Sequence, residues 1–317
     1  MPSEQEPVES EPAPVVTQAV TRRRVLLVGN ENARRVKESF GTAVDSLSGH
    51  GMEVFCETLG KHNSLHDVLA QYHDRVDVLI IAGGDGTLNH LADELVGHRL
   101  PIGILPLGTA NDLARTLNIP LDLHQACGVV ADGEPRPIDL GWVNGKHFFN
   151  VASIGLSALI TQQLTGEIKK RWGVFAYLIT AIRALARSFP FHAQIVHNDS
   201  VCNVRTLQIA VGNGRYYGGG LAVAADAAID DQRLDLYSLE IGHWWEMIPL
   251  LFSLRSGQLE RHAKTRTMSG HSFEIRTRRR RVVTTDGEIT THTPAVFKIV
   301  PRAIQVITPG PDTTAVR

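Results

Sequence analysis

The chain has 317 residues and is 43% hydrophobic, enough to bury a large core and to divide into two domains. Its formal net charge of -1 argues against nucleic-acid binding through bulk charge. Cys56, Cys127 and Cys202 show neither a pairing pattern nor metal-ligand spacing, which fits a reduced, cytoplasmic setting, and no histidine is assigned to a metal or to catalysis.

Residues 1–21 carry Glu4, Glu6, Glu9 and Glu11 among prolines, with no basic start and no apolar segment. They read as a disordered tail, not a signal peptide. From Arg24 to about Ala131 apolar runs alternate with helical stretches. Val25 to Val28, Met52 to Cys56, Val76 to Ala82 and Ile102 to Leu105 are expected strands, and Ser64 with Asp67 is placed to open a helix. Such alternation implies a parallel sheet with covered faces.

Two glycine turns leave these strands. The first, Gly83, Gly84, Asp85, Gly86, Thr87, lies between the run ending at Ala82 and a helical pattern from Leu88 to Val96. There, backbone N–H groups and the positive end of a helix dipole favour phosphate, and missing β-carbons let it come close. One such cluster is equally well explained by tight packing. The second, Leu107, Gly108, Thr109, Ala110, Asn111, Asp112, adds hydroxyl, amide and carboxylate groups suited to phosphate oxygens and a metal's water shell. Two polar turns at strand carboxyl ends form a crevice.

After Pro137 the pattern becomes that of antiparallel sheet. Trp142 Val143 and His147 to Val151 flank Asn144 Gly145, a strong hairpin signal, and Gln194 to Val196 and Thr206 to Val211 flank a turn near Asn198 Asp199. Lys169, Lys170 and Arg171 precede Trp172 and an apolar stretch from Gly173 to Phe189 that carries Arg183 and Arg187. It is too short and too charged to span a membrane. A core helix is the plainer meaning, an interfacial helix the alternative. Arg278 to Arg281 reads as a solvated strand edge that could also attract anionic headgroups.

Gly83 to Asn89 (GGDGTLN), Leu107 to Arg115 (LGTANDLAR), Pro137 to Leu140 (PIDL) and Asp286 to Glu288 (DGE) resemble, in order and approximate spacing, the diacylglycerol kinase catalytic-domain family, and more narrowly its small soluble bacterial lipid kinases. The likeness runs from about Arg24 to Pro309. It implies a Rossmann-like α/β nucleotide-binding domain over 22–137, joined by a closing strand at 303–310, and a β-rich antiparallel sandwich domain over 138–302, with the active site between them.

The resemblance also implies roles. ATP's phosphates would lie on Gly83, Gly84, Asp85, Gly86, Thr87, Leu88 and Asn89, with Thr58, Thr109 and the loop at Asn30 enclosing the nucleotide. The glycine turn has no Walker-type lysine, so backbone N–H groups and Mg²⁺ must offset the phosphate charge. Asp286 would accept the proton of the attacking hydroxyl and Glu288 would touch the nucleotide or serve as a second acid–base group, the second carboxylate being the base in some relatives. Asp85, Asp112 and Asp139 would hold Mg²⁺ through water, and Ala228, Asp231 and Arg233 a structural Mg²⁺. Read singly, each Asp is a cap or turn residue, and Asp286 Gly287 is a hairpin turn.

Two positions depart from the family pattern. Asp231 is followed by Gln232 where Gly is usual, and the first strand ends in Gly29, Asn30, Glu31, Asn32, Ala33 without the usual proline. Two other functions compete with the lipid kinase: a kinase of a soluble substrate, chiefly an NAD kinase, whose later Asn, Glu signature is not evident here, and a non-catalytic lipid-binding protein, which would not need so many clustered carboxylates. The acceptor lipid is left open, as a groove near Leu156, Ile160 and Trp172 would reject no candidate on polarity alone. Edge strands leave room for a homodimer.

Overall fold

The computed structural model describes residues 22–310 except 31–33, 61–62, 73, 157, 159–188, 199, 215, 218–220, 223–227 and 242–264. The expected tail, Glu31 to Ala33, Asp199, Ile160 and the stretch from Lys169 through Arg187 lie outside the described residues.

Four apolar runs form a parallel sheet. Strands β1 (Arg24–Asn30), β2 (Glu53–Leu59), β3 (Val78–Gly83) and β4 (Ile102–Pro106) lie in the order β2-β1-β3-β4. Helices α1 (Arg34–Gly49), α2 (Leu65–Tyr72) and α3 (Asp85–Leu95) connect them. β3 is buried along its whole length, as a strand covered on both faces must be. Ser64 and Asp67 open α2 as the sequence predicts: Asp67 N–H donates to Ser64 Oγ at 3.2 Å and that hydroxyl donates to Asp67 Oδ2 at 2.7 Å. Helices α4 (Asp112–Thr116) and α5 (Leu123–Asp132) follow, and Asp122 caps α5 by accepting Gln125 N–H at 3.0 Å.

The second half begins with β5 (Glu134–Val143) and β6 (Lys146–Phe148), a hairpin turning on Asn144 (φ 46°) and Gly145 (φ 97°), the left-handed pair a two-residue turn requires. β7 (Val151–Gly155), β8 (Phe191–His197), β9 (Ser200–Thr206), β10 (Gln208–Gly212), the short pair β11 (Tyr216–Tyr217) and β12 (Leu221–Ala222), β13 (Leu234–Leu239), β14 (Thr265–Gly270), β15 (Ser272–Thr277), β16 (Val282–Thr285), β17 (Glu288–His292) and β18 (Ala295–Thr308) complete the described strands. One expectation changes. The partner of β8 across Asn198 is β9, a mostly exposed strand, whereas the apolar run ending at Val211 becomes β10 in the opposite sheet.

The two halves share a sheet. β18 runs parallel to β4 at Val306↔Ile102 and antiparallel to β5 and β15, so ten strands join in one layer with the path β2-β1-β3-β4-β18-β15-β8-β9. A second sheet, β14-β13-β10-β7-β16-β17, packs over its far end. Phe297, Phe273, Ile275 and Ile195 of the first layer and Ile154, Ile209, Leu236 and Val283 of the second form the sandwich core, each at most 1% exposed.

Candidate active site

In parallel strands, loops at the carboxyl ends lie along one edge. The registers Asn30↔Leu59, Gly29↔Thr58 and Gly83↔Pro106 bring Asn30, Thr58 and both glycine turns to that edge. Thr58 and Thr109 are exposed there.

The glycines divide into two kinds. A β-carbon on Gly84 would stand 2.6 Å from Gly108 Cα, one on Gly108 2.5 Å from Asn111 Oδ1, and one on Gly83 2.7 Å from Thr87 Oγ1. These three are required by packing. Gly84 has φ -108°, so lack of space, not backbone conformation, excludes a side chain. Gly86 differs: it is exposed, and the nearest atom to its would-be β-carbon is Glu288 Oε1 at 3.8 Å. Gly84 is also the N-cap of α3 and has no side chain with which to cap it, which leaves first-turn N–H groups for an anion.

Asn111 shapes the second turn. In the left-handed region at φ 51°, it accepts Gly108 N–H on Oδ1 at 2.9 Å and donates to the Gly108 and Pro106 carbonyls at 3.2 and 3.4 Å. Asp85 reaches across to accept Leu113 N–H at 3.3 Å, which sets it beside Asp112, 8% exposed, in the first turn of α4.

Asp286 comes from the sandwich. It and Gly287 form the turn between β16 and β17, with φ 47° and 84°, as the hairpin reading expects. Its carboxylate accepts three consecutive N–H groups, from Phe149 at 2.8 Å, Asn150 at 2.9 Å and Val151 at 3.0 Å. Burial pushes its pKa up to about 6, the three N–H groups oppose the rise, and the negative charge of Asp85 adds to it.

One face of α3 meets this hairpin and the β5–β6 hairpin. Gly86, Asn89 and Asp93 recur at helical spacing. Gly86 lies below Glu288, as above. The Asn89 amide donates to the Thr285 carbonyl and accepts from Thr285 Oγ1, both at 3.4 Å, immediately before Asp286. Asp93 accepts Lys146 Nζ at 2.6 Å and the His147 N–H at 2.9 Å, with His147 Nδ1 at 2.8 Å. Burial alone would raise the Asp93 carboxyl, but Lys146 and His147 hold it below its ordinary value. This stripe was not read from the sequence, although its spacing was there to find.

The remaining candidates lie elsewhere. Asp139, 1% exposed, accepts Gln232 N–H on Oδ2 at 2.6 Å and Arg302 N–H on Oδ1 at 2.7 Å. Asn213, another buried residue not singled out, donates to the Asp139 and Phe149 carbonyls at 2.9 and 2.7 Å. Asp231 accepts Arg233 N–H on Oδ1 at 3.2 Å and Ala228 N–H on Oδ2 at 3.3 Å, and Arg233 Nε stands 3.1 Å from the same Oδ2. Ala228 O accepts Asp231 N–H at 3.4 Å. Among the described residues no three His, Cys, Asp or Glu side chains group to chelate an ion. Asp85 and Asp112 offer the carboxylate oxygens that a hydrated ion would take, whereas the Asp231 loop, closed by its own N–H groups and a guanidinium, does not fit a bare one. In the basic run, Arg281 lies 3.9 Å over the Phe191 ring, and Arg278 lines a groove with Arg205, Arg276 and His192.

An uncapped helix start at a glycine turn, facing carboxylates on a second sheet, suits phosphoryl transfer. Residues 24–143 match the diacylglycerol kinase catalytic domain and 150–308 the YegS C-terminal NAD kinase beta sandwich-like domain. The chain belongs to the diacylglycerol kinase catalytic-domain family, and it is a kinase. It is 32% identical over 246 residues, 76% of its own length and 78% of the relative's, to a Pseudomonas syringae protein named "Probable lipid kinase YegS-like". The crystal structure of a diacylglycerol kinase from Bacillus anthracis shares the fold, with TM-score 0.74, 23% identity and coverage of 92% of this chain and 99% of that one. Yeast NADH kinase shares it more distantly, with TM-score 0.51, 12% identity and coverage of 92% and 84%.

Proposed function

We propose that this kinase transfers the γ-phosphoryl group of ATP to the primary hydroxyl of a diacylglycerol-like lipid at a membrane surface. Asp286 carries the reading. A carboxylate fixed by three N–H groups, with a pKa near 6, is ionised at neutral pH and still basic enough to take a proton.

In this scheme the triphosphate lies on the segment from Gly83 to Asn89, with Gly86 beneath it, while Asn30, Thr58 and Thr109 enclose the rest of the nucleotide. Asp286 accepts the hydroxyl proton as the lipid oxygen attacks the γ-phosphorus, and ADP departs. Glu288, at the edge of Gly86, contacts the nucleotide or serves as the second acid–base group. Mg²⁺, held through water by Asp85 and Asp112, would supply charge that offsets the phosphates, and Asp139 would keep the adjoining loop in place. The nucleotide unit is taken as 22–137 with 303–310, and the lipid unit as 138–302. Among the described residues no helix is long and apolar enough to cross a membrane, so the substrate would be met from the surface.

Incubation with labelled ATP and Mg²⁺, with mixed membrane lipids in one arm and NAD in the other, tests the acceptor. Label in a lipid is expected. Label in NAD only would replace this reading with the soluble-substrate kinase, and label in neither would favour a non-catalytic role.

A further inference from the structure

The family resemblance implies a divalent ion in the loop at 228–233, and here the loop's own groups fill that seat. Both Asp231 oxygens accept main-chain N–H groups, and the guanidinium of Arg233 stands against one of them. Arg233 Nε also lies 3.5 Å from Asp235 Oδ1, which accepts Ser269 Oγ at 2.6 Å. One cation thus serves two carboxylates and ties the loop to β13 and β14. A magnesium or calcium ion needs several oxygen ligands within about 2.0–2.6 Å and would have to expel a guanidinium of like charge.

The rest of the loop is fixed by the same kinds of contact. Arg136 pairs with Asp230 through Nη2 at 2.6 Å and Nε at 3.0 Å, which binds the loop to β5. Gln232 takes the left-handed conformation at φ 59°, and its N–H reaches buried Asp139 at 2.6 Å. Gly would hold this turn more cheaply, yet Gln232 is held by its neighbours.

We propose that Arg233 takes the place of the structural divalent ion in this chain, so that the loop closes and holds Asp139 without metal. The proposal concerns the loop alone and stands whether or not the acceptor is a lipid. Magnesium would then be required only where phosphate is bound, and chelation would stop turnover without loosening the fold.

The test is thermal unfolding of the nucleotide-free full chain in EDTA and in excess Mg²⁺ or Ca²⁺, together with the metal content of protein purified without chelator. Wild-type protein is expected to carry well under one equivalent of divalent metal and to keep its Tm in EDTA. Any rise in Mg²⁺ should persist in Asp231→Asn, because it would come from Asp85 and Asp112. Arg233→Leu is expected to lower the Tm in EDTA by about 2–4 °C and to regain part of it with Mg²⁺. The proposal is overturned by about one bound equivalent of metal in wild type, by a Tm that falls in EDTA, by a Mg²⁺ response that Asp231→Asn abolishes, or by an Arg233→Leu Tm equal to wild type. If Arg233→Leu does not fold, the wild-type and Asp231→Asn measurements still decide.

Discussion

At the carboxyl edge of the parallel strands the groups that meet the phosphates in the proposed scheme are main-chain N–H groups at the start of α3, and a side chain, Asn111, shapes the glycine turn beside them. In the sandwich the roles are exchanged. The group that reacts in the proposed scheme is the Asp286 side chain, and three main-chain N–H groups of Phe149, Asn150 and Val151 hold it. The difference follows from what each region must do. An anion with several oxygens is best surrounded by many weak donors, whereas proton transfer needs one group at one tuned pKa.

The comparison breaks first at Asp286. Asp286→Asn should reduce turnover about 10²–10⁴-fold; its amide oxygen can still accept the Asn150 and Val151 N–H groups, while its NH2 meets the Phe149 N–H and costs about 1 kcal/mol of stability. Circular dichroism beside a kinase assay checks this, and unimpaired turnover would move the base to Glu288. In wild type, kcat/KM should rise as pH climbs through about 6, where Asp286 ionises. Stability has the opposite sign: the folded pKa is raised above the unfolded value, so this group's contribution is fullest below the unfolded value and is lost as pH rises through about 6.

The two kinds of glycine sharpen the other side. Gly84→Ala forces two backbones apart and should lower stability by about 1–3 kcal/mol, read by denaturant unfolding. Gly86→Ala meets only Glu288, at 3.8 Å, and should leave stability unchanged or slightly higher. The methyl would enter the phosphate space, so ATP affinity should fall at least about tenfold, a cost of about 1.4 kcal/mol. Unaltered ATP binding in this variant would move the phosphate elsewhere.

Smaller effects test how the regions are joined. Asn89→Ala removes the amide between α3 and Thr285, and a loss of about 1 kcal/mol of positioning should appear as a several-fold lower kcat with little change in the KM for ATP. A rise in KM alone would make the Asn89 side chain a nucleotide contact instead of a link to Thr285. Lys146→Ala breaks a half-exposed pair with Asp93 and should cost at most about 1 kcal/mol in unfolding experiments.

Much of this architecture was legible because β1, β3 and β4 are apolar runs, the last two leading into glycine turns, and because Asn144 Gly145 admits few conformations. β9 was not, since it is mostly exposed, with Ser200, Asn203 and Arg205 on its surface, and its partner choice depends on β8 having no other neighbour on that side. In the site, the glycines were legible as a group but not as three packing residues and one open one, because that distinction arises only where Gly84 meets Gly108. Asp139 carries no local mark of its bonds to Gln232 and Arg302, which are 93 and 163 residues away.

The strand β18 has a consequence for how the polypeptide is made. Its residues 304–308 border β4, which was synthesised some 200 positions earlier, and Arg302, at φ 49°, marks the bend where the strand passes from one half to the other. On the ribosome the early βα units can gather, but the rim of β4 stays open until the late strand emerges. Such a long-range closure is slow and leaves an adhesive strand edge exposed to neighbouring nascent chains meanwhile.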